Sequence, residues 1–551
     1  MTSKIRGADI LVRALDGAGI GKVFTLSGNH IMPVFDAVLG TGLQLVHVRH
    51  EAAAVHMADA WARLTGRCGV ALVTGGPGHA NAVGALMTAQ AAESPVVLLS
   101  GHAALHELGR GGFQELRQAD MAAPVTKASW TATSAATLGA DIARAMRLAT
   151  SGRPGPVHLS LPFDVLEDAI ADDPALRPPP SAFIPEPQLL GETGAEAALA
   201  ALAHAQRPLI LAGPALCSAS GRALLAQLGA ATGAPAIAME SPRGINDPSL
   251  GAFAEVLARA DLILLLGKAH DFTLRFADPP FVDAACRFIV VDPDPALIDR
   301  VAKGKGSRLI ASSIADAVAA AEQLVARAAF VENPATTWSA EVVDAVTYRP
   351  PAWRTLASRQ PGKVHPVELC RAIAPVLEHH PDAVLVCDGG EIGQWAQTIP
   401  FRRRIINGVA GSIGASLPFA VAARLAEPRA PVIAVMGDGT FGFHMAELDT
   451  AVRYDLPLVA IVGNDATWNA EHQIQLREYG PNRTHGCELL PSRYDLVAAA
   501  LGGHGELVTS AGDLGPALAR AIASGKPACV NVMIERVPAP VVKRTARVVP
   551  T

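Results

Sequence analysis

Short apolar runs alternate with helical patterns along nearly the whole chain. In the first third the runs are KVFTLSG, LQLVHVRHE, GVALVTGGPG, SPVVLLSG and GPVHLSLP. Near-continuous apolar runs of this length read as strands buried on both faces, the pattern of a parallel sheet. The stretches between them carry helical spacing, so the alternation predicts α/β units. The rhythm recurs in RPLILAGPA, APAIAME, ADLILLLGK and CRFIVVDPD, and again in AVLVCDGG, RIINGVAG, PVIAVMGDG, LPLVAIVGND and ACVNVMIE. Three doubly wound α/β domains with parallel sheets are therefore expected, at residues 1–170, 189–330 and 363–537. The Pro-rich stretch DDPALRPPPSAFIPEPQ (172–188) reads as an extended, exposed linker, and 331–362 as a second connector. The tail 538–551, PAPVVKRTARVVPT, reads as a flexible arm or a lid. The first and third domains share a rhythm without a visible repeat.

Composition narrows the function classes. A chain of 551 residues exceeds one ordinary core, and at 50% hydrophobic with 18% charged it can fill large buried sheets. The net charge of −5 and a pI near 6.4, with no Lys/Arg-rich run, argue against a nucleic-acid partner. The seven cysteines are scattered, without a CxxC or a His/Cys cluster, which argues for a reducing compartment and against zinc or iron–sulfur sites. The first twenty residues form an amphipathic helix pattern without a signal-peptide core, and no apolar run is long enough to span a bilayer. The expectation is a soluble cytoplasmic protein with no membrane partner.

The densest chemistry lies in VMGDGTFGFHMAELDTAVRYDLPLVAIVGND. One strand pattern ends on Gly437-Asp438-Gly439 and the next, 24 residues later, on Asn464-Asp465. Adjacent parallel strands would bring both acidic tips to one edge of the sheet. Carboxylate and carbonyl oxygens there could hold a hard divalent cation, and the glycines could admit a diphosphate. An ordinary turn-rich βαβ unit is the plain alternative. The pair, GDG-x24-ND, resembles the thiamine diphosphate and magnesium motif of thiamine diphosphate-dependent enzymes. That family's motif usually ends Asn-Asn. Asp465 keeps an oxygen ligand and adds a charge, so metal binding is expected to survive.

A second segment, HEAAAVHMADAWAR, places Glu51 where a strand pattern passes into a helix. It resembles the activating-glutamate segment of the acetolactate synthase, benzaldehyde lyase and 2-hydroxyacyl-CoA lyase group, although a carboxylate there is also a common helix cap. GVALVTGGPGHANAVGAL resembles the group's next segment, with Pro77, Gly78 and Asn81 near the pyrimidine. The resemblance then covers nearly the whole chain, in the order pyrimidine-binding, central and diphosphate-binding domain. It implies that Glu51 hydrogen-bonds the cofactor's pyrimidine ring and drives the reactive tautomer. It implies that Gly390, Glu391 and Ile392 contact the diphosphate, that Gly411 offers a carbonyl to the pyrimidine amine and that Ile413 is the wedge that bends the cofactor. It makes Asp438 and Asp465, with the Thr467 carbonyl, the Mg²⁺ ligands, and Gly437, Gly439 and Thr440 diphosphate contacts. It also implies self-association as a dimer of dimers, with active sites at the dimer interface.

The substrate is read from His30, which matches a benzaldehyde lyase histidine, from Gln114, which matches the FQE glutamine of acetolactate synthases, and from Glu471 after the metal motif. Asn407 stands where benzaldehyde lyases carry histidine. The central-domain segment GKAHDFTLRFADPPFVDAACRFIVVDPDPALIDR resembles that of 2-hydroxyacyl-CoA lyases and oxalyl-CoA decarboxylases more than the FAD-holding segment of acetolactate synthases. A CoA or adenine nucleotide moiety is thus expected there rather than FAD, the alternative being a plain scaffold. The expected activity is cleavage of a 2-hydroxyacyl-CoA to an aldehyde or ketone plus formyl-CoA, with Glu51, His30, Gln114 and Glu471 as catalytic residues. A carboligase acting on free aldehydes or 2-oxoacids is the alternative. A non-catalytic protein of the same fold is a third reading, opposed by the presence of Glu51 and both metal-site carboxylates.

Overall fold

The computed structural model describes residues 3–328 and 336–544. They form two compact units, one holding the residues up to Glu186 together with Val421–Ala426, the other holding Pro187–Ala420 and the residues from Glu427 on.

The first unit is built on six parallel strands: β1 (Lys22–Thr25), β2 (Gln44–His47), β3 (Gly69–Val73), β4 (Val96–His102), β5 (Ala128–Thr131) and β6 (Val157–Pro162). Their order is 2-1-3-4-6-5. The central strands β3, β4 and β6 are buried along their whole length, which explains their unbroken apolar sequences. The expected N-terminal helix begins only at Gly7, because Lys4–Arg6 pairs antiparallel with Ala169–Ala171. Its buried stripe includes Ala8, Leu11 and Leu15. The Pro-rich stretch is not wholly exposed. It forms short 3-10 turns, and Phe183 is buried in the first unit's core.

The second unit holds two sheets. The first runs through β7 (Pro208–Ala212), β8 (Ala236–Ala238), β9 (Leu262–Leu266), β10 (Arg287–Val291) and β11 (Leu309–Ser313), in spatial order β8-β7-β9-β10-β11. The expected connector 331–362 supplies a helix, Thr336–Thr347, to this domain; residues 329–335 lie outside the described residues. Trp338, Val342 and Ala345 join the domain's core, and the Trp338 indole N–H donates to the Pro208 carbonyl at 2.9 Å. The second sheet holds β12 (Val384–Cys387), β13 (Arg404–Ile406), β14 (Val432–Gly437), β15 (Val459–Asn464), β16 (His504–Val508) and β17 (Ala528–Met533). Counted within this sheet, its order is again 2-1-3-4-6-5.

Arg404 on β13 joins these two sheets. It is 5% exposed and donates to Glu240 at 2.9 Å, with Asp247 at 3.5 Å. The described part of the tail is anchored rather than free. Trp395 donates to the Pro538 carbonyl, and Arg544 pairs with Glu255 and Asp344. Residues 545–551 of the tail lie outside the described residues. Among the described residues no helix is long and apolar enough to cross a membrane.

Candidate functional site

β14 and β15 lie side by side in parallel, with Gly437 opposite Gly463, so the turns that follow them open at one edge of the sheet. Asp438 begins the short helix Asp438–His444. After β15, the side chain of Asn464 fastens the next turn: its amide donates to the Ser492 carbonyl and to Asn531, and its carbonyl accepts the Ala466 N–H. Of the Asn-Asp pair, Asn464 is therefore structural, and Asp465 borders the cleft.

That cleft is small, about 70 Å³, and partly open to solvent. Its wall contains Gly390, Glu391, Ile392, Ile413, Gly437, Asp438, Gly439, Thr440, Asp465, Thr467 and Glu471. These sequence-selected residues come from four separate stretches and are brought to one place. Gly411 is not in the wall. It sits at φ +69 on the loop of Ile413 and turns toward Pro242.

The electrostatics of the cleft are unbalanced. Asp438 and Asp465 are 2% and 5% exposed, and Asp438 Oδ2 has no hydrogen-bond partner. Burial pushes Asp438 up to about 6, although the N–H groups of Gly439, Ala466 and Thr467 favour its charged form. Burial and the neighbouring Asp438 push Asp465 up to about 7, against the pull of Arg536 and Lys363. Two crowded carboxylates with an unsatisfied oxygen suit a hard divalent cation. Beside them, Gly390 has φ +75, and nothing lies within 4 Å of where its Cβ would stand, so an anion can approach the backbone. Among the described residues no three His, Cys, Asp or Glu form a metal cage, so a cation here would need further oxygens from the backbone and from a ligand.

In the first unit, Glu51 opens the helix Glu51–Thr65, and the cap is supplied by His50, whose Nδ1 accepts the Ala52 N–H. The buried Glu51 carboxylate accepts from Asn81 Nδ2 at 3.1 Å. A Cβ at Gly78 would stand 3.3 Å from Glu51 Oε1 and 2.7 Å from the Thr74 methyl group, so glycine keeps this side of the carboxylate open. His30 is buried, and its Nδ1 lies 3.2 Å from Thr74 Oγ1. Burial lowers its pKa, so the ring is held neutral. The Phe113 ring stacks on it, with centroids 5.9 Å apart. Gln114 packs against the same turn, for its carbonyl would lie 2.6 Å from a Cβ on Gly76. His30, Glu51, Asn81 and Gln114 are thus gathered around the turn that follows β3. An open hollow of about 900 Å³ lies beside His30 and Phe113.

Asp388 and Arg536, which also shape these sites, escaped the sequence reading. Asp388 accepts from the backbone of Gly389, Gly414 and Ser416 and from the Ser416 hydroxyl, tying the Gly389–Gly390 turn to the loop carrying Ile413. Its signal was an acid directly before paired glycines at a strand end. The Trp468 ring occupies the space beside Gly439, 2.5 Å from where a Cβ would be. Arg536 donates to the Asp465 and Ala466 carbonyls, far along the chain, and no local pattern marks it.

Comparison with known proteins agrees with this geometry. Residues 5–121 match the thiamine pyrophosphate enzyme N-terminal TPP binding domain, 195–320 the central domain and 388–532 the C-terminal TPP binding domain. The chain is 32% identical over 537 residues to a probable acetolactate synthase of Mycobacterium bovis, covering 96% of this chain and 95% of the relative. It is 30% identical to 2-hydroxyacyl-CoA lyase 2 of Bos taurus, covering 91% and 85%. It is 29% identical to oxalyl-CoA decarboxylase of Escherichia coli K12, covering 96% and 95%. The chain belongs to the thiamine pyrophosphate enzymes, and its activity is that of a thiamine diphosphate-dependent carbon–carbon lyase.

Proposed function

We propose that this enzyme cleaves 2-hydroxyacyl-CoA to an aldehyde or ketone plus formyl-CoA, and that the reverse condensation uses the same site. One observation carries this reading: the loop Gly267–Pro280 of the central domain. It leaves β9 beside β7, where the strand order of the sheet reverses, and open α/β sheets bind nucleotides at such a point. Arg275, Phe276 and Ala277 all have positive φ, near +50°, a strained run of the kind that functional sites retain. Phe272 and Phe276 are 51% and 54% exposed. Exposed aromatic faces next to the exposed Arg275 suit an adenine ring and its phosphates.

When bound, thiamine diphosphate supplies an acyl-anion equivalent for breaking or forming the bond next to a carbonyl. Asp438, Asp465 and the Thr467 carbonyl would hold Mg²⁺, and Gly390, Glu391, Ile392, Gly437, Gly439 and Thr440 would receive the diphosphate. Gly411 and Ile413 serve the pyrimidine side. Glu51, oriented by Asn81, would hold the pyrimidine ring nitrogen by a proton it can give and take. Neutral His30 accepts the proton of the substrate hydroxyl, Gln114 hydrogen-bonds the substrate carbonyl, and Glu471 assists proton movement at the cleft mouth. Incubation with 2-hydroxyacyl-CoA, Mg²⁺ and thiamine diphosphate should release formyl-CoA. Its absence at every chain length tried would defeat the CoA reading.

The second reading is a carboligase acting on free aldehydes or 2-oxoacids, favoured by the likeness to the mycobacterial probable acetolactate synthase. Acetolactate from pyruvate, benzoin cleavage or a flavin spectrum would support it. Self-association as a dimer or a dimer of dimers belongs to both readings, and sedimentation velocity tests it.

A further inference from the structure

Glu115 follows Gln114 directly, and its carboxylate reaches back across the preceding glycine-rich loop. Oε1 accepts the Gly109 N–H at 2.6 Å, and Oε2 accepts those of Gly111 and Gly112, both at 3.0 Å. The Glu115 N–H closes the ring by donating to the Gly112 carbonyl at 3.0 Å. Gly109 and Gly111 sit at φ +78 and +81, which lets neighbouring N–H groups converge on one anion without strain. These bonds hold the Glu115 carboxyl below the usual glutamate range. The clamp ends immediately before Phe113, which stacks on His30, and Gln114, which sits at φ +56. A glutamine keeps that left-handed conformation only where its surroundings impose it. On the far side the Gln114 carbonyl rests against Gly76, and Gly76 is itself pinned by its N–H to Gln118 Oε1 at 2.8 Å.

We propose that Glu115 is a positioning residue that clamps Gly109–Gly112, so that Phe113 stays on His30 and Gln114 is presented to the substrate carbonyl. The proposal rests on the reading of Gln114 given under Proposed function. Misplacing a substrate-facing group by about 1 Å can cost on the order of 100-fold. The test is a double-mutant cycle on the holoenzyme with Glu115→Ala, Gln114→Ala and both together. Substrates are 2-hydroxyacyl-CoA, benzoin and pyruvate in parallel, and kinetics are taken on whichever the wild type turns over. Glu115→Ala should lower kcat/KM by roughly 10- to 100-fold, and should cost clearly less once Gln114 is alanine, because only the Phe113–His30 contact then remains to be lost. Exchange of the cofactor C2 proton, which depends on Glu51, should be unchanged. Hydrogen exchange at the amides of Gly109, Gly111 and Gly112 should speed up, and Glu115→Asp should restore part of both properties.

Losses that multiply, or wild-type kinetics in Glu115→Ala beside an impaired Gln114→Ala, would overturn the clamp while leaving the Gln114 assignment intact. Wild-type kinetics in Gln114→Ala would overturn that assignment and the role of Glu115 together. A wild type inactive on 2-hydroxyacyl-CoA but active on benzoin or pyruvate would defeat the CoA reading and leave the clamp to be judged by the cycle.

Discussion

Asp465→Asn restores the Asn-Asn ending usual in the family, and its effect on the metal-free protein can be worked out from the cleft. Burial and Asp438 push Asp465 up to about 7 from the ordinary 3.8. The folded state therefore binds this proton more tightly than the unfolded chain does. Between those two pH values the folded protein holds more protons, so this group makes stability fall as pH rises. Each tenfold in the proton equilibrium is about 1.4 kcal/mol. A roughly thousandfold difference means that keeping Asp465 ionised near pH 8 costs the fold about 4 kcal/mol. Asparagine carries no charge at any pH. In EDTA near pH 8 the variant should be the more stable by up to about 4 kcal/mol, and the gain should shrink as pH falls and vanish near the ordinary Asp value. For a domain of this size that is a melting temperature about 10 °C higher. Scanning fluorimetry in EDTA at several pH values measures it. Mg²⁺ and thiamine diphosphate should then stabilise the wild type more than the variant, because the wild type has two strained charges for the cation to relieve and the variant only Asp438. A variant that melts no higher than the wild type near pH 8, or whose gain is the same near pH 5.5, would refute the electrostatic account of the cleft.

Glu51→Gln retains an oxygen for Asn81 but cannot take a proton, so cofactor affinity should change little while C2 proton exchange slows by about 10²- to 10⁴-fold; unchanged exchange by NMR would remove Glu51 from its role. Arg404→Ala removes the ion pair of buried Asp247 and leaves Glu240 with Arg222 alone, and should destabilise the second unit by about 3 kcal/mol; a urea midpoint equal to the wild type's would contradict this. Gly439→Ala drives a methyl into the Trp468 ring and should cost about 1–3 kcal/mol, with a shift in tryptophan fluorescence and weaker holoenzyme formation, and wild-type cofactor titration would oppose it.

The strands that the apolar pattern did not reveal share one property. Ala128–Thr131, Leu309–Ser313 and His504–Val508 are all at sheet edges, and all are largely half-buried. An edge strand packs against one neighbour, so sequences such as ASWT and HGELV need no unbroken apolar run. The interior strands must be apolar on both faces and were legible for that reason. The same contrast separates the site residues. Asp438 and Asp465 stand next to glycine and asparagine at strand ends, where local spacing marks them. Asp388, Gln118 and Arg536 act through hydrogen bonds to backbone groups 17 to 71 positions away, as in Gln118 to Gly101 and Arg536 to Asp465. Such partnerships follow from the folded topology, and of the three only Asp388, directly before paired glycines at a strand end, carries a local mark. The helix Thr336–Thr347 does carry a core-facing stripe, Trp338, Val342 and Ala345 at helical spacing, but only the Trp338 bond to the Pro208 carbonyl shows that it belongs to the central domain rather than to a connector.

The two six-stranded sheets have one strand order, 2-1-3-4-6-5, without a visible sequence repeat. A doubly wound sheet asks of its strands only that they be apolar, and many sequences satisfy that, so identical topology places no demand for identical residues. What topology does impose is location. In both sheets the chemistry follows the carboxyl ends of strands, where such folds bind ligands. The loops then differ completely. After β1 and β3 of the first sheet they offer a neutral imidazole and amide groups, and the helix following β2 opens on the carboxylate Glu51. After β12, β14 and β15 they offer open glycine backbone and two charge-strained carboxylates. The first set is an imidazole, amides and one carboxylate, and the second is a pair of buried carboxylates beside open glycine backbone. The family's chemistry needs both, so the function is carried by loop residues that one repeated scaffold places but does not choose.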